Sequence, residues 1–224
     1  AWKRYVRETV THFAGMIEEW EVWNEPNGNA FFSGTPQEYA TLLQHAFTEA
    51  RTANPNCRIY GLSLSNIREE AQRFARTVLG EAADSMDAIS YHAYQAEPPD
   101  QRMAERIETL RKIAAEAGRS DMPLVNSETG WYGADEHQSH LPYFPGAPPP
   151  NKLFSEEDQA AALVQACVIS LAHGVRSFYW YKWYVERGYA GPDLHGLIRA
   201  DGSYAPKAGV PALIEKPVTE TIEQ

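Results

Sequence analysis

The chain has 224 residues, enough for one large domain or two small ones and for a sizeable core. Its 43% hydrophobic and 22% charged residues exclude collagen-like and wholly disordered chains, and no apolar run approaches the roughly 20 residues of a membrane span. Thirty acidic against twenty basic residues give a formal charge of −10, which repels a polyanion over most of the surface and argues against a nucleic-acid partner.

The first predicted element is a helix already under way at the first residue, because Tyr5, Val6, Val10, Phe13, Met16 and Ile17 recur near helical spacing with no targeting segment ahead of them. Short apolar runs then alternate with longer amphipathic ones, the order expected of successive βα units around a parallel sheet. The first strand, Trp20 to Asn24, leads into a helix opened by Thr35, with Pro36 at its first position and Glu38 completing a capping box, and reaching about Ala53. The second strand is Arg58 to Leu64, followed by a helix near Arg68 to Leu79. The third is Met86 to Tyr91, followed by a helix near Asp100 to Ala117 that Gly118 stops. The fourth strand, Pro123 to Ser127, enters a long loop rich in Pro, Gly and His. Ser155 and Asp158 then cap a helix that reaches about His173 and is closed by Gly174. A fifth strand, Arg176 to Tyr181, precedes an irregular stretch and a last helix from about Pro206. Cys57 and Cys167 are far apart and lack C-x-x-C spacing, so neither a disulfide framework nor a zinc site is expected.

Five βα units in 224 residues average about 45 residues each, and eight at that pitch fall within the range of (β/α)8 barrels. The expectation is an α/β chain forming an incomplete barrel, a single domain over 1–224 that lacks three units at its front. A complete open sheet of five parallel strands is the alternative, but no G-x-G-x-x-G follows the first strand.

Two strand ends carry the chemistry. The first runs Trp20-Glu21-Val22-Trp23-Asn24-Glu25-Pro26-Asn27, so Pro26 stops the ladder and leaves Glu25 at the C-terminal rim. The fourth does the same with Val125-Asn126-Ser127-Glu128-Thr129-Gly130-Trp131. Reacting groups of parallel barrels sit on that rim, where the loops converge. Two carboxylates there are the minimum apparatus for glycoside hydrolysis: one protonated to give a proton to the leaving oxygen, the other ionised to attack the anomeric carbon or to activate water. Their separation decides the outcome, about 5–5.5 Å for retention and about 6.5–9.5 Å for inversion. The third strand ends Ile89-Ser90-Tyr91-His92-Ala93-Tyr94, which puts His92 and Tyr94 on the same side of an extended chain, the phenol suited to bonding an ionised carboxylate. The fifth carries Phe178-Tyr179-Trp180-Tyr181-Lys182-Trp183, and Trp180 is the favoured indole for stacking on a sugar face. Phe31, Phe32, Trp131, Tyr132, Tyr143 and Phe144 are further candidate platforms, and the loop from Gly133 to Asn151 a candidate cleft wall.

These residues resemble the clan A retaining glycoside hydrolases, whose (β/α)8 barrels carry the acid/base on strand four and the nucleophile on strand seven; the five strands here would be strands four to eight. Within the clan, Trp23-Asn24-Glu25-Pro26-Asn27, then Phe31-Phe32, Thr35-Pro36-Gln37-Glu38-Tyr39 and Ile89-Ser90-Tyr91-His92-Ala93-Tyr94 look most like family 39, which includes β-xylosidases and α-iduronidases. The resemblance implies Glu25 as acid/base, Glu128 as nucleophile, Asn24 on the hydroxyl next to the anomeric carbon, and His92 and Tyr94 lining the floor. It implies a carbohydrate substrate, double displacement, and neither metal nor organic cofactor. A glycan substrate favours a secreted or periplasmic location. Ser127-Glu128-Thr129-Gly130 departs from that family's nucleophile segment, and its usual accessory β-sandwich has no counterpart. Two other classes compete: a non-catalytic glycan-binding barrel or inactive fragment, because an open sheet leaves unpaired edges, and a metal-dependent barrel hydrolase using His137 and His140 beside Asp135 and Glu136.

Overall fold

A computed structural model of the chain describes residues 1–95, 97–131, 154–183, 187–188, 191–192, 195–198 and 206. It divides into two compact units. The first comprises Ala1–Ala93, Arg102–Glu128 and Ser170–Tyr179, and the second Tyr94–Gln101, Thr129–Ile169 and Trp180–Gln224.

In chain order the elements are α1 (Trp2–His12), β1 (Glu19–Glu21), α2 (Pro36–Ala53), β2 (Arg58–Leu64), α3 (Glu69–Ala82), β3 (Ala88–His92), α4 (Gln101–Glu116), β4 (Leu124–Thr129), α5 (Glu156–Ala172) and β5 (Ser177–Trp180). The five strands make one sheet in the order β1-β2-β3-β4-β5, parallel along its ladder, with a helix between consecutive strands. The predicted alternation is therefore the observed one. A two-stranded antiparallel ribbon, β6 (Arg187–Gly188) with β7 (Gly191–Pro192), lies in the stretch expected to be irregular. The last helix expected from about Pro206 lies outside the described residues, as do Tyr132, Tyr143, Phe144, the loop from Gly133 to Asn151 and the four candidate ligands within it.

Local chemistry sets the helix boundaries. Thr35 Oγ1 accepts from the Glu38 N–H (3.2 Å) while Glu38 Oε2 accepts from the Thr35 N–H (2.7 Å), and Pro36 supplies the first helical φ. Ser155 Oγ accepts from the Asp158 N–H in the same way at the head of α5. Gly118 and Gly174 follow α4 and α5 with φ of +75° and +64°, a left-handed conformation that side chains with a Cβ resist.

The core of the first unit lies between sheet and helices. β3 is buried along its whole length and β2 from its second residue onward, as strands covered on both faces must be. Leu43 of α2, Phe74 and Val78 of α3, and Ile107 and Leu110 of α4 complete it. Gly61 allows α2 to pack close to β2: a Cβ there would meet Leu43 Cδ2 at 3.0 Å and the Met86 thioether at 3.1 Å.

Candidate active site

Three side chains of the first unit converge from the turn after β1, the end of β3 and from β4. The β1 ladder ends at Glu21, earlier than the predicted Asn24, because the backbone then turns through left-handed residues, Trp23 at φ 72° and Glu25 at φ 45°. Pro26 follows, and the Gly28 N–H closes a tight turn on the Glu25 carbonyl (2.9 Å). Glu25 is thus lifted off the strand and held at its C-terminal end.

His92 is the last residue of β3 and is 1% exposed. Its Nδ1 is hydrogen-bonded to Glu25 Oε1 (2.7 Å), and its Nε2 lies 3.7 Å from Glu128 Oε2 and 3.5 Å from Ser63 Oγ. One ligand atom from each of Glu25, His92 and Glu128 lies within 4.8 Å of the other two. The two carboxylates retain 20% and 26% side-chain exposure, so a ligand can reach them, while the imidazole between them is sealed. Two carboxylate oxygens and an imidazole nitrogen at this spacing could also hold a divalent cation.

Two bulges aim these groups. Between β3 and β4, Tyr91 pairs with Asn126 but His92 pairs with Glu128, leaving Ser127 as the extra residue. Ladder partners project to the same face, so the extra residue turns Glu128 to the His92 side while the buried Asn126 stays on the Tyr91 side. Between β2 and β3 the register slips from Gly61↔Ile89 to Leu64↔Tyr91, and Leu62 and Ser63 take φ of 78° and 39°. Trp23, Glu25, Leu62 and Ser63 are the non-glycine residues with positive φ among the described residues, and all four lie at the C-terminal ends of β1 and β2. Strain gathered at one place is a mark of a functional site.

A buried tyrosine supports both strand ends. The Tyr39 hydroxyl, on α2, donates to the Val22 carbonyl (2.9 Å) and accepts from the Leu62 N–H (3.1 Å), the amide that the bulge displaces. Burial pushes its phenol well above the ordinary tyrosine value. Neither Tyr39 nor Ser63 was among the expected site residues. The available signal for Ser63 was a hydroxyl near the end of an otherwise apolar strand.

Of the expected residues, Glu25, His92 and Glu128 come together, and Asn24 is adjacent to Glu25 in the chain, its amide making no hydrogen bond among the described residues. Tyr94, Trp131 and Trp180 belong to the second unit. There Tyr94 sits 5.5 Å from the His195 ring and 6.4 Å from Tyr181. Trp180 is half-buried and its indole donates to the His195 carbonyl (3.0 Å). Trp131 corrects the expectation of a sugar platform. It is 1% exposed, packed 5.8 Å from Trp180 with its N–H donated to the Glu97 carbonyl (2.8 Å), so it has no open face on which a ring could stack. Gly130 before it is equally constrained, because a Cβ would lie 2.2 Å from the Tyr181 carbonyl oxygen.

The architecture is that of part of a (β/α)8 barrel, covering about its last five strands. No family model and no curated protein matches the sequence. Among solved structures the chain is similar to a glucosidase from Croceicoccus marinus, at 20% identity over 90% of this chain and 42% of that one, TM-score 0.67. It is similar to a GH39 β-xylosidase from Caulobacter crescentus, at 15% identity over 94% and 45%, TM-score 0.66. A family 39 glycoside hydrolase from Bacteroides cellulosilyticus matches at 21% identity over 92% and 42%, TM-score 0.62. At these identities the likeness is one of fold, and the chain spans less than half the length of each structure.

Proposed function

We propose that this chain is the C-terminal part of the catalytic barrel of a retaining glycoside hydrolase acting on an oligo- or polysaccharide. The observation that carries the reading is the pair of strand-end carboxylates, with oxygens within 4.8 Å of each other and of the imidazole between them. One oxygen of each carboxylate at that spacing supports the short separation of about 5–5.5 Å used for retention. The fold shared with a glucosidase and a β-xylosidase supports the same chemistry.

In the first step Glu128 attacks the anomeric carbon and forms a glycosyl-enzyme bond while Glu25 protonates the departing oxygen. In the second, Glu25 takes a proton from water, whose oxygen attacks the same carbon and releases Glu128. His92 fixes the Glu25 carboxyl through Nδ1 and stands beside Glu128, so it holds both groups at reacting distance. Asn24 has an amide free to bond the hydroxyl next to the anomeric carbon.

The test is turnover of 4-nitrophenyl β-xyloside and β-glucoside before and after chelation. Glu128→Gln should lower kcat by about a thousandfold or more. Glu25→Ala should be rescued by azide, which attacks the glycosyl-enzyme without needing a general base. Glycan binding that survives Glu128→Gln, in a chain that never turns over, would make the protein a binding module instead; activity lost with chelation would make it a metal enzyme.

A further inference from the structure

The two displacement steps give Ser63 no task, yet the fold goes out of its way to place it. Ser63 is fully buried and lies in the β2 bulge. Gly61 pairs with Ile89 and Leu64 with Tyr91, both on the face of the sheet opposite to His92, although residues three apart in a regular strand point to opposite faces. Counting by twos from Gly61 would send Ser63 to that same face, away from His92. The bulge reverses this: Leu64 takes the position instead, and Ser63 Oγ comes to 3.5 Å from His92 Nε2.

Backbone and side-chain bonds hold the arrangement. The Ser63 N–H donates to Ser90 Oγ (3.2 Å), the Ser90 hydroxyl donates to the Gly61 carbonyl (3.1 Å), and Tyr39 takes the neighbouring Leu62 N–H (3.1 Å). Together they keep Leu62 and Ser63 at φ of 78° and 39°, where residues with a Cβ are strained. His92 Nε2 therefore faces two oxygens at nearly equal distance, Ser63 Oγ at 3.5 Å and Glu128 Oε2 at 3.7 Å, both beyond the usual length of about 2.7–3.2 Å. The two differ in what they can do. A carboxylate only accepts, whereas a hydroxyl donates or accepts. While Glu128 is ionised it is the stronger acceptor for an Nε2–H. Once Glu128 is bonded to the sugar it is a neutral ester, but the Ser63 hydroxyl is unchanged and can serve Nε2 with or without its proton.

We propose that Ser63 is a positioning residue that holds the His92 ring while Glu128 is esterified, so that Glu25 stays in place to take the proton from water. The inference rests on the reading of Glu128 as the nucleophile. It fixes where in the reaction the loss falls: removing the hydroxyl slows the second step and spares the first, which begins with Glu128 charged.

Ser63→Ala and Ser63→Gly both remove the hydroxyl, the second without strain at a positive φ, and circular dichroism confirms folding. With 4-nitrophenyl β-xyloside and β-glucoside, each variant should lower kcat by about tenfold and KM with it. The ratio kcat/KM should stay near that of the unaltered chain, and a burst of nitrophenol should precede the steady state, because the glycosyl-enzyme accumulates. A general loosening of the site would lower kcat/KM and give no burst. That result, or an unchanged kcat, in the folded variants would overturn the proposal. A second readout needs no turnover. In Glu128→Gln a neutral amide stands where the ester would be, and exchange of the His92 ring N–H with water, followed by NMR, should become at least about tenfold faster when Ser63→Ala is added. Equal exchange with and without the hydroxyl would overturn the proposal as well. If the unaltered chain hydrolyses neither substrate but the exchange responds to Ser63→Ala, the positioning contact stands and the hydrolase reading alone fails.

Discussion

In the proposed mechanism His92 positions the two glutamates, and its burial suits it to that role. An exposed imidazole would exchange partners with water; at 1% exposure, with Glu25 at 2.7 Å and Glu128 at 3.7 Å, it keeps one arrangement. It contacts both carboxylates, so its proposed role is to position them. His92→Gln retains one amide able to bond Glu25 but cannot reach both groups, and kcat should fall by about ten- to a hundredfold. A structural role alone would lower stability and leave kcat of the folded fraction unmoved. A positioning role lowers kcat with little change in KM, because the carboxylates are misplaced and the substrate contacts are not. A folded His92→Gln variant with the original kcat would remove His92 from the site.

At the scale of elements, the site is built by departures from regular strands, and these are what the sequence concealed. The alternation of strand and helix was legible because apolar runs of strand length sit between amphipathic stretches with recognisable caps, as at Thr35-Pro36-Gln37-Glu38. Glu25 and Glu128 were singled out because each follows a short apolar run, and the structure brings the two together, Glu25 in the turn after β1 and Glu128 inside β4. The bulges left no such trace: an extra residue at Ser127 or at Leu62-Ser63 changes neither composition nor local period, yet it decides which face each side chain takes. Counting by twos from His92 to Tyr94 presumes a strand, and β3 stops at His92. The β2 bulge is held by Tyr39, whose hydroxyl serves the Leu62 N–H and the Val22 carbonyl at once. Tyr39→Phe keeps the ring in place and strands both backbone groups in a dry interior, which should cost about 1–3 kcal/mol. Chemical denaturation measures this, and because Val22 and Leu62 flank the site, turnover should fall with it. Stability within a few tenths of a kcal/mol of the unaltered chain would show that the bulge holds itself.

At the scale of the whole molecule, one contact links the first strand of the sheet to the residue before its last. Glu19, on β1, bonds Arg58 on its neighbour β2 and also Arg176, the residue before β5, at 3.3 Å, although 157 residues separate them. The Glu19 carboxyl is held below the ordinary glutamate value of 4.5 by the adjacent Tyr60 phenol first, even though that hydroxyl makes no well-formed hydrogen bond, and then by Arg58. Burial and Glu19 in turn push the Tyr60 phenol up to about 12. For a carboxylate lowered in the folded state, folding releases protons. Its contribution is therefore complete above the unfolded value and disappears as the pH drops through the lowered folded one. Glu19→Gln should accordingly reduce the denaturation midpoint at neutral pH, and the difference from the unaltered chain should narrow below about pH 4. Arg176→Gln should remove part of the same effect, and the double variant should lose less than the two singles added, because one interaction is being removed twice. Additive losses would mean that Glu19 stabilises the β1–β2 pair alone, and that the two ends of the sheet are held by packing.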